Sequence, residues 1–298
     1  MTKSPFFLVV GLCLLLACGS ATAGVMMGAK VGAANDPNWQ AELIAFESTI
    51  GRQVAIDSDY DDWTTFPDTS RIQWDLQTGR LPMQSWRVLF SDSNPNACAT
   101  AHDILSGAYD VQLAKQAAQV KSIGGTILVR FNYEMTDNQE NTCFTGWPIN
   151  NNLPLAGRLY VAAWKHVVGV FRAAGVTNVI WVWAPGANAY DSGQYRFFYP
   201  GSAFVDWVGM DDYNVVDTPV PFSQDPGVAA FAAIGPTFGK PMIVTESERR
   251  AMIAMEAYLR AERRNFATGH ELEDWLAAEA EVNARLSHVR KLTGFTAR

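Results

Sequence analysis

Two carboxylates in this 298-residue chain stand where chemistry can use them. Glu134 comes just after the apolar run Ile127-Leu128-Val129-Arg130-Phe131, and Glu246 follows Pro241-Met242-Ile243-Val244-Thr245. Each sits at the end of a run that reads as a buried strand. Such a pair suits cleavage of an acetal: one carboxyl, kept protonated, gives its proton to the leaving oxygen, and the other, ionised, attacks the anomeric carbon. Retention of configuration requires the two at about 5–5.5 Å. A single Glu at a strand end is an ordinary loop carboxylate; two among aromatic residues are the more telling feature.

Other residues near these strand ends can serve the same chemistry. Arg130 is either a strand charge buried against a backbone carbonyl or a cation that holds Glu246 ionised. Tyr213 is either a core aromatic with a wet tip or a hydrogen-bond donor to the nucleophile. Trp86, Trp147 and Trp183 are either packing residues or platforms on which the C–H faces of sugar rings stack. Trp39, Trp164, Trp181 and Trp207 lie mid-element, where packing is the expected role.

Positioning these groups takes a scaffold of alternating strands and helices. Apolar runs predict strands at 25–33, 53–56, 81–86, 126–131, 179–183, 205–210 and 241–245. Helical spacing predicts helices at 39–50, 104–122 and 159–174, the last with Tyr160, Trp164, Val167, Val168 and Phe171 on one stripe. Short continuous apolar strands separated by helices indicate a parallel sheet covered on both faces. Seven in series favour an α/β fold of the (β/α)8 TIM-barrel type, whose active sites lie at the C-terminal strand ends. No G-x-G-x-x-G follows the first strand, which argues against a dinucleotide-binding fold.

Composition narrows the rest. With 48% hydrophobic residues the chain has enough apolar surface for a sizeable core, so disorder is excluded. A formal net charge of −7 repels phosphate backbones, so nucleic acid is not expected as a partner. Lys3, the apolar run from Phe6 to Ala17 and Ala21-Thr22-Ala23 have the layout of a secretory signal peptide, residues 1–23. The alternative is a lipoprotein signal, Leu15-Leu16-Ala17-Cys18, with lipid on Cys18. The apolar run is too short to span a bilayer well, and no transmembrane span is expected. In an exported chain Cys98 and Cys143 form an even pair outside the signal, and one disulfide between them is expected. The histidines at 102, 166, 270 and 288 are scattered, so no zinc or other metal site is expected, and carboxylate-pair chemistry needs no cofactor.

Four linked motifs carry a family resemblance. Ile127-Leu128-Val129-Arg130-Phe131-Asn132-Tyr133-Glu134-Met135 resembles the strand-four signature of glycoside hydrolase family 26, which includes endo-β-1,4-mannanases and some mixed-linkage β-glucanases and xylanases. Asn178 to Pro185 resembles its strand-five motif, Tyr199-Pro200-Gly201 through Asp206 to Tyr213 its strand-six motif, and Lys240 to Glu246 its nucleophile strand. Order and spacing agree over roughly residues 24–246. The resemblance implies a retaining glycosidase with a polysaccharide substrate, Glu134 as acid/base, Glu246 as nucleophile and Tyr213 orienting the nucleophile. It implies mannan first, with β-glucan or xylan as alternatives. Tyr133 stands where the mannanases usually have His, a departure that bears on specificity more than on reaction type. A phenol still donates a hydrogen bond there but carries no positive charge. The resemblance also places Cys98 and Cys143 on neighbouring loops after strands three and four.

Beyond Glu246 the composition changes, and residues 247–298 are rich in Ala, Glu and Arg. Helices are expected at 248–264 and 271–292, an antiparallel hairpin. The stretch 255–282 resembles a short bacterial helical domain of unknown function. No eighth strand is legible there. Either the tail helices cover the gap, or a shortened hydrolase has been joined to an unrelated end. The alternative to an enzyme is a non-catalytic carbohydrate-binding or vestigial barrel.

Overall fold

The computed structural model describes residues 28–30, 37–50, 53–62, 68–88, 98–136, 142, 144–146, 151–212 and 226–247, with scattered positions between 257 and 280. Its framework is a seven-stranded sheet in sequential order: β1 (Gly28–Ala29), β2 (Ile56–Asp62), β3 (Leu81–Arg87), β4 (Ile127–Phe131), β5 (Val179–Trp183), β6 (Trp207–Asp212) and β7 (Met242–Ser247). Every described neighbouring pair is parallel. The strands curl into a partial barrel, with helices between them as in a TIM barrel that lacks one strand. Among the described residues β1 pairs only with β2 and β7 only with β6.

Alternation along the strands makes two apolar layers. Ile56, Met83, Leu128 and Val182 fill the barrel interior. Trp86, Ile127, Val129, Phe131, Trp181 and Trp183 point outward into a larger core against the helices. The principal helix, α5 (Leu153–Ala173), buries Tyr160, Ala163, Trp164, Val167, Val168 and Phe171, the stripe that its spacing predicts. Asn152 caps its start, accepting from the Leu155 N–H at 3.2 Å. The outward face of β7 is less well covered: Met242 and Val244 are 38% and 39% exposed, where Val129 and Trp183 on inner strands are fully buried.

Two expectations from the sequence are corrected, the helix over 104–122 and the end of the second strand. The helix expected over 104–122 is two helices, α3 (Ala101–Leu105) and α4 (Asp110–Ile123). The chain breaks at Gly107, whose φ of +81° a helix cannot hold, and α3 starts on a Thr100/Asp103 capping box. The second strand runs on to Asp62 rather than ending at Asp57. Two of its acidic residues, Asp57 and Asp59, are met from outside by a helix the periodicity does not show, α2 (Thr69–Gln77). Arg71 on α2 makes a two-pronged contact with Asp57, at 2.8 Å on each oxygen, and reaches Asp59 at 3.1 Å. Lys30 meets the other oxygen of Asp59 at 3.0 Å. Because α2 buries Arg71 and Asp75 beside its one core apolar residue, Ile72, it has little hydrophobic stripe to read. The first strand shows only Gly28 and Ala29; the rest of 25–33 lies outside the described residues, apart from Lys30.

Helix α1 (Trp39–Ile50) is as expected and ties to α2 through Trp39, edge-on to Trp74 at 5.2 Å. After β5 come α6 (Ala187–Asp191) and α7 (Tyr195–Phe198), and before β7 come α8 (Pro226–Ile234) and a 3-10 turn, Gly235–Phe238. The described tail positions are helical at 257, 260, 263, 273, 274, 276–278 and 280, and Arg264 is ion-paired with Asp274. Residues 1–23 lie outside the described part, and no helix among the described residues is long and apolar enough to cross a membrane.

Candidate active site at the strand ends

A polar layer lies above the apolar interior. Tyr60 on β2 is in register with Ser85 on β3, and Ser85 with Arg130 on β4. Arg130 is fully buried. Its Nε donates to Ser85 Oγ at 3.0 Å, its Nη1 to Asp211 Oδ1 at 2.6 Å, and its Nη2 to the Tyr60 hydroxyl at 3.1 Å. The guanidinium also lies 4.0 Å from the centroid of the Tyr133 ring. A buried cation without such partners would cost several kcal/mol, about 3–5 when one side of a pair is removed. Arg130 is thus neither left against a backbone carbonyl alone nor free in a pocket: it meets side chains from β2, β3 and β6 and the ring of Tyr133 just past β4.

Asp211, next to last on β6, is equally buried. Besides Arg130 it accepts a hydrogen bond from the Thr245 hydroxyl on β7. A bulge between Met210 and Asp211 brings Asp211 into register with Glu246. The extra residue is Thr245 on β7, and it re-aims the end of that strand against β6, a use of bulges common at barrel rims. The Asp211 N–H donates to Pro185 O at 3.1 Å, which ties β6 to the chain leaving β5. Below, the Tyr190 hydroxyl donates to Gly209 O at 2.8 Å, and burial pushes this phenol far above its ordinary range, so it stays a donor. Glu246 belongs to β7 through its backbone; its side chain lies outside the described part.

Glu134 emerges from β4 on unusual backbone. Asn132 has φ +41° and Glu134 φ +51°, the only left-handed non-glycine residues among those described. Such conformations persist where the surroundings over-determine them, and they cluster at functional sites. Here the Asn132 N–H donates to Trp86 O at 2.7 Å and the Glu134 N–H to Ala184 O at 3.0 Å. The segment is therefore pinned to both flanking strands, and Glu134 is left partly exposed.

Of the residues singled out from the sequence, Arg130, Tyr133 and Glu134 come together at the ends of β4 and its neighbours. Trp86 and Trp183 do not join them. Each is fully buried in the outer core, Trp86 against Phe171 at 5.7 Å and Trp183 against Tyr199 at 5.1 Å. Neither has a face free for a sugar ring, because the even alternation of a strand sends both outward to the helices. Trp147 and Tyr213 lie outside the described residues. Cys98 is disulfide-bonded; Cys143, its expected partner, lies outside the described residues. Tyr60, Ser85, Asp211 and Thr245 were not legible as site residues. Asp211 alone left a signal, as a carboxylate directly after an apolar strand.

The fold and this layer define a (β/α)-barrel protein with a polar, carboxylate-bearing mouth. Its structural neighbours include family 26 glycoside hydrolases. One is a GH26 β-mannanase from Bacteroides ovatus, with TM-score 0.56 and 16% identity over 74% of this chain and 71% of that one. Another is the GH26 domain of an endo-β-mannanase/endo-β-glucanase from Prevotella bryantii, with TM-score 0.55 and 18% identity over 74% of each. At these identities the likeness establishes the fold.

Among curated relatives, Endoglucanase H of Acetivibrio thermocellus is 28% identical over 211 residues, 70% of this chain and 22% of that protein. A mannan endo-1,4-β-mannosidase of Bacillus subtilis is 31% identical over 148 residues, 48% of this chain and 39% of that protein. The chain thus spans well under half the length of these two relatives. Residues 248–284 match a family described as a protein of unknown function, DUF2934.

Proposed function

We propose that this chain is a retaining glycoside hydrolase that cleaves β-1,4-mannan-type polysaccharide by double displacement. The observation that carries the reading is the strained, doubly anchored backbone that presents Glu134 at the end of β4, in a barrel whose β7 bears Glu246 in register with a buried Asp211. Glu134 acts as the acid, protonating the glycosidic oxygen as the bond to it breaks. Glu246 attacks the anomeric carbon and forms a glycosyl-enzyme ester. Glu134, now ionised, takes a proton from water, whose oxygen displaces Glu246 and restores the original configuration. Arg130, held beside β6 and β7 by Asp211, supplies a positive field that favours an ionised nucleophile. Tyr213 orients that nucleophile, Tyr133 and Trp147 contact the sugar, and the signal at 1–23 exports the protein, either secreted or held by lipid on Cys18.

Mixed-linkage β-glucan is the second substrate, favoured by the endoglucanase relative that aligns with 70% of this chain. The test is incubation with mannan, mixed-linkage glucan and xylan beside a Glu246→Ala variant. New reducing ends from the unchanged protein only are expected, mainly on mannan. Equal release by both proteins would remove Glu246 from its role. Affinity for polysaccharide on a native gel without hydrolysis would point to a carbohydrate-binding protein on a seven-stranded scaffold.

A further inference from the structure

Tyr60 lies near the end of β2, a strand to which the proposed reaction assigns nothing. Its hydroxyl accepts from Arg130 Nη2 at 3.1 Å. Its ring stands edge-on to Tyr133, with centroids 5.8 Å apart and planes at 76°. The Arg130 guanidinium lies over both rings, 4.0 Å from Tyr133 and 5.4 Å from Tyr60. One side chain therefore touches both the cation that binds Asp211 and the aromatic residue that immediately precedes Glu134.

That placement matters because of the backbone around Tyr133. Asn132 and Glu134, on either side of it, are both left-handed. Their N–H groups are anchored to Trp86 O and Ala184 O, which fixes the chain before and after Tyr133. The orientation of the residue between is set by its ring, and that ring is wedged between Arg130 and Tyr60. A shift of Tyr133 would carry the Glu134 carboxyl with it.

We infer that Tyr60 is a positioning residue for both halves of the site. Through its hydroxyl it sets Arg130 against Asp211, beside Glu246 on β7; through its ring it seats Tyr133 and so aims Glu134. The role rests on the reading of Glu134 as the acid. A misplacement of about 1 Å at a reacting group can cost ~100-fold in rate, so the effect is measurable.

Tyr60→Leu, Tyr60→Phe and Glu134→Gln are compared with the unchanged protein on two substrates. One is a β-1,4-manno-oligosaccharide, or the gluco-oligosaccharide if glucan is the polysaccharide cleaved. The other is the corresponding 2,4-dinitrophenyl glycoside, whose leaving group departs without a proton. kcat/KM reports the first displacement on each, and thermal unfolding tracks folding. Tyr60→Leu is expected to lower kcat/KM on the oligosaccharide about 10- to 100-fold and on the activated glycoside several-fold less. Tyr60→Phe keeps the ring and is expected to show a smaller loss, similar on both.

Loss of folded protein alone would lower both substrates equally in Tyr60→Leu, and that result would overturn the role. So would unchanged kcat/KM on the oligosaccharide in both Tyr60 variants while Glu134→Gln is impaired. Full oligosaccharide activity in Glu134→Gln would instead remove the acid assignment itself, and the role of Tyr60 with it.

Discussion

Arg130 on β4 and Asp211 on β6 meet at 2.6 Å over the end of β5, and neither side chain is exposed. The intervening strand leads into Ala184, and β6 passes it with Gly209, where an added Cβ would stand 3.0 Å from that of Ala184 and 3.1 Å from Thr245. Small residues on both strands leave the space in which a guanidinium and a carboxylate from non-adjacent strands can join. The pair links the strand that presents Glu134 to the one that lies against Glu246.

The first prediction concerns that pair. Arg130→Met leaves Asp211 a buried carboxylate deprived of this cation and should destabilise the protein by about 3–5 kcal/mol. Asp211→Asn keeps an acceptor but leaves the cation short of its charge partner, and should cost a similar order. Urea unfolding of the two single variants and the double variant measures it. A double variant less destabilised than the sum of the singles is expected, since the two residues act as one unit.

The second concerns the carboxylates of the proposed reaction. Glu134→Gln should reduce hydrolysis of an unactivated oligosaccharide by ~100- to 10,000-fold, the range for loss of a general acid. Azide should restore turnover on an activated glycoside by replacing the water that Glu134 would otherwise deprotonate. Steady-state rates with and without azide check this.

A third prediction follows from burial of Trp86 and Trp183. As core residues, each changed to Ala should cost about 3–5 kcal/mol of stability. If either were a sugar platform, its loss would instead raise KM with little change in unfolding. Thermal melts beside Michaelis constants tell the two apart.

A fourth lies away from the site, on α2. Burial, with the Asp57 carboxylate next to it, pushes the Asp75 carboxyl up to about 8 from an ordinary value of 3.8. The folded state therefore binds this proton more tightly than the unfolded chain. The stability tied to it is fully present below pH 3.8 and is lost as pH rises through about 8. Asp75→Asn removes that loss. The variant should gain on the unchanged protein across this window and level off above it, as read from urea midpoints between pH 4 and 9.

How much of this was legible follows from what each element buries. Strand β5 and the stripe of α5 were read from the chain because their burial is apolar and periodic: Trp181 and Trp183 on one, Trp164, Val168 and Phe171 on the other. Helix α2 and the second half of β2 were not, because what they bury is largely charge, Arg71 between Asp57 and Asp59. A buried ion pair looks in sequence like two surface residues until the fold brings them together.

The same division runs through the site. Local sequence determined that Glu134 and Glu246 each come at the end of a strand, since a strand's apolar run and its end are local properties. Which aromatic residues face the mouth was decided by alternation and the curl of the sheet, which sent Trp86 and Trp183 to the helices and Tyr60 and Tyr133 to Arg130. The contacts that organise the mouth join residues 45, 70 and 81 positions apart. Only the curling of a parallel sheet makes neighbours of groups so distant in the chain, because register between strands is set by the packing of the whole barrel and by no single segment.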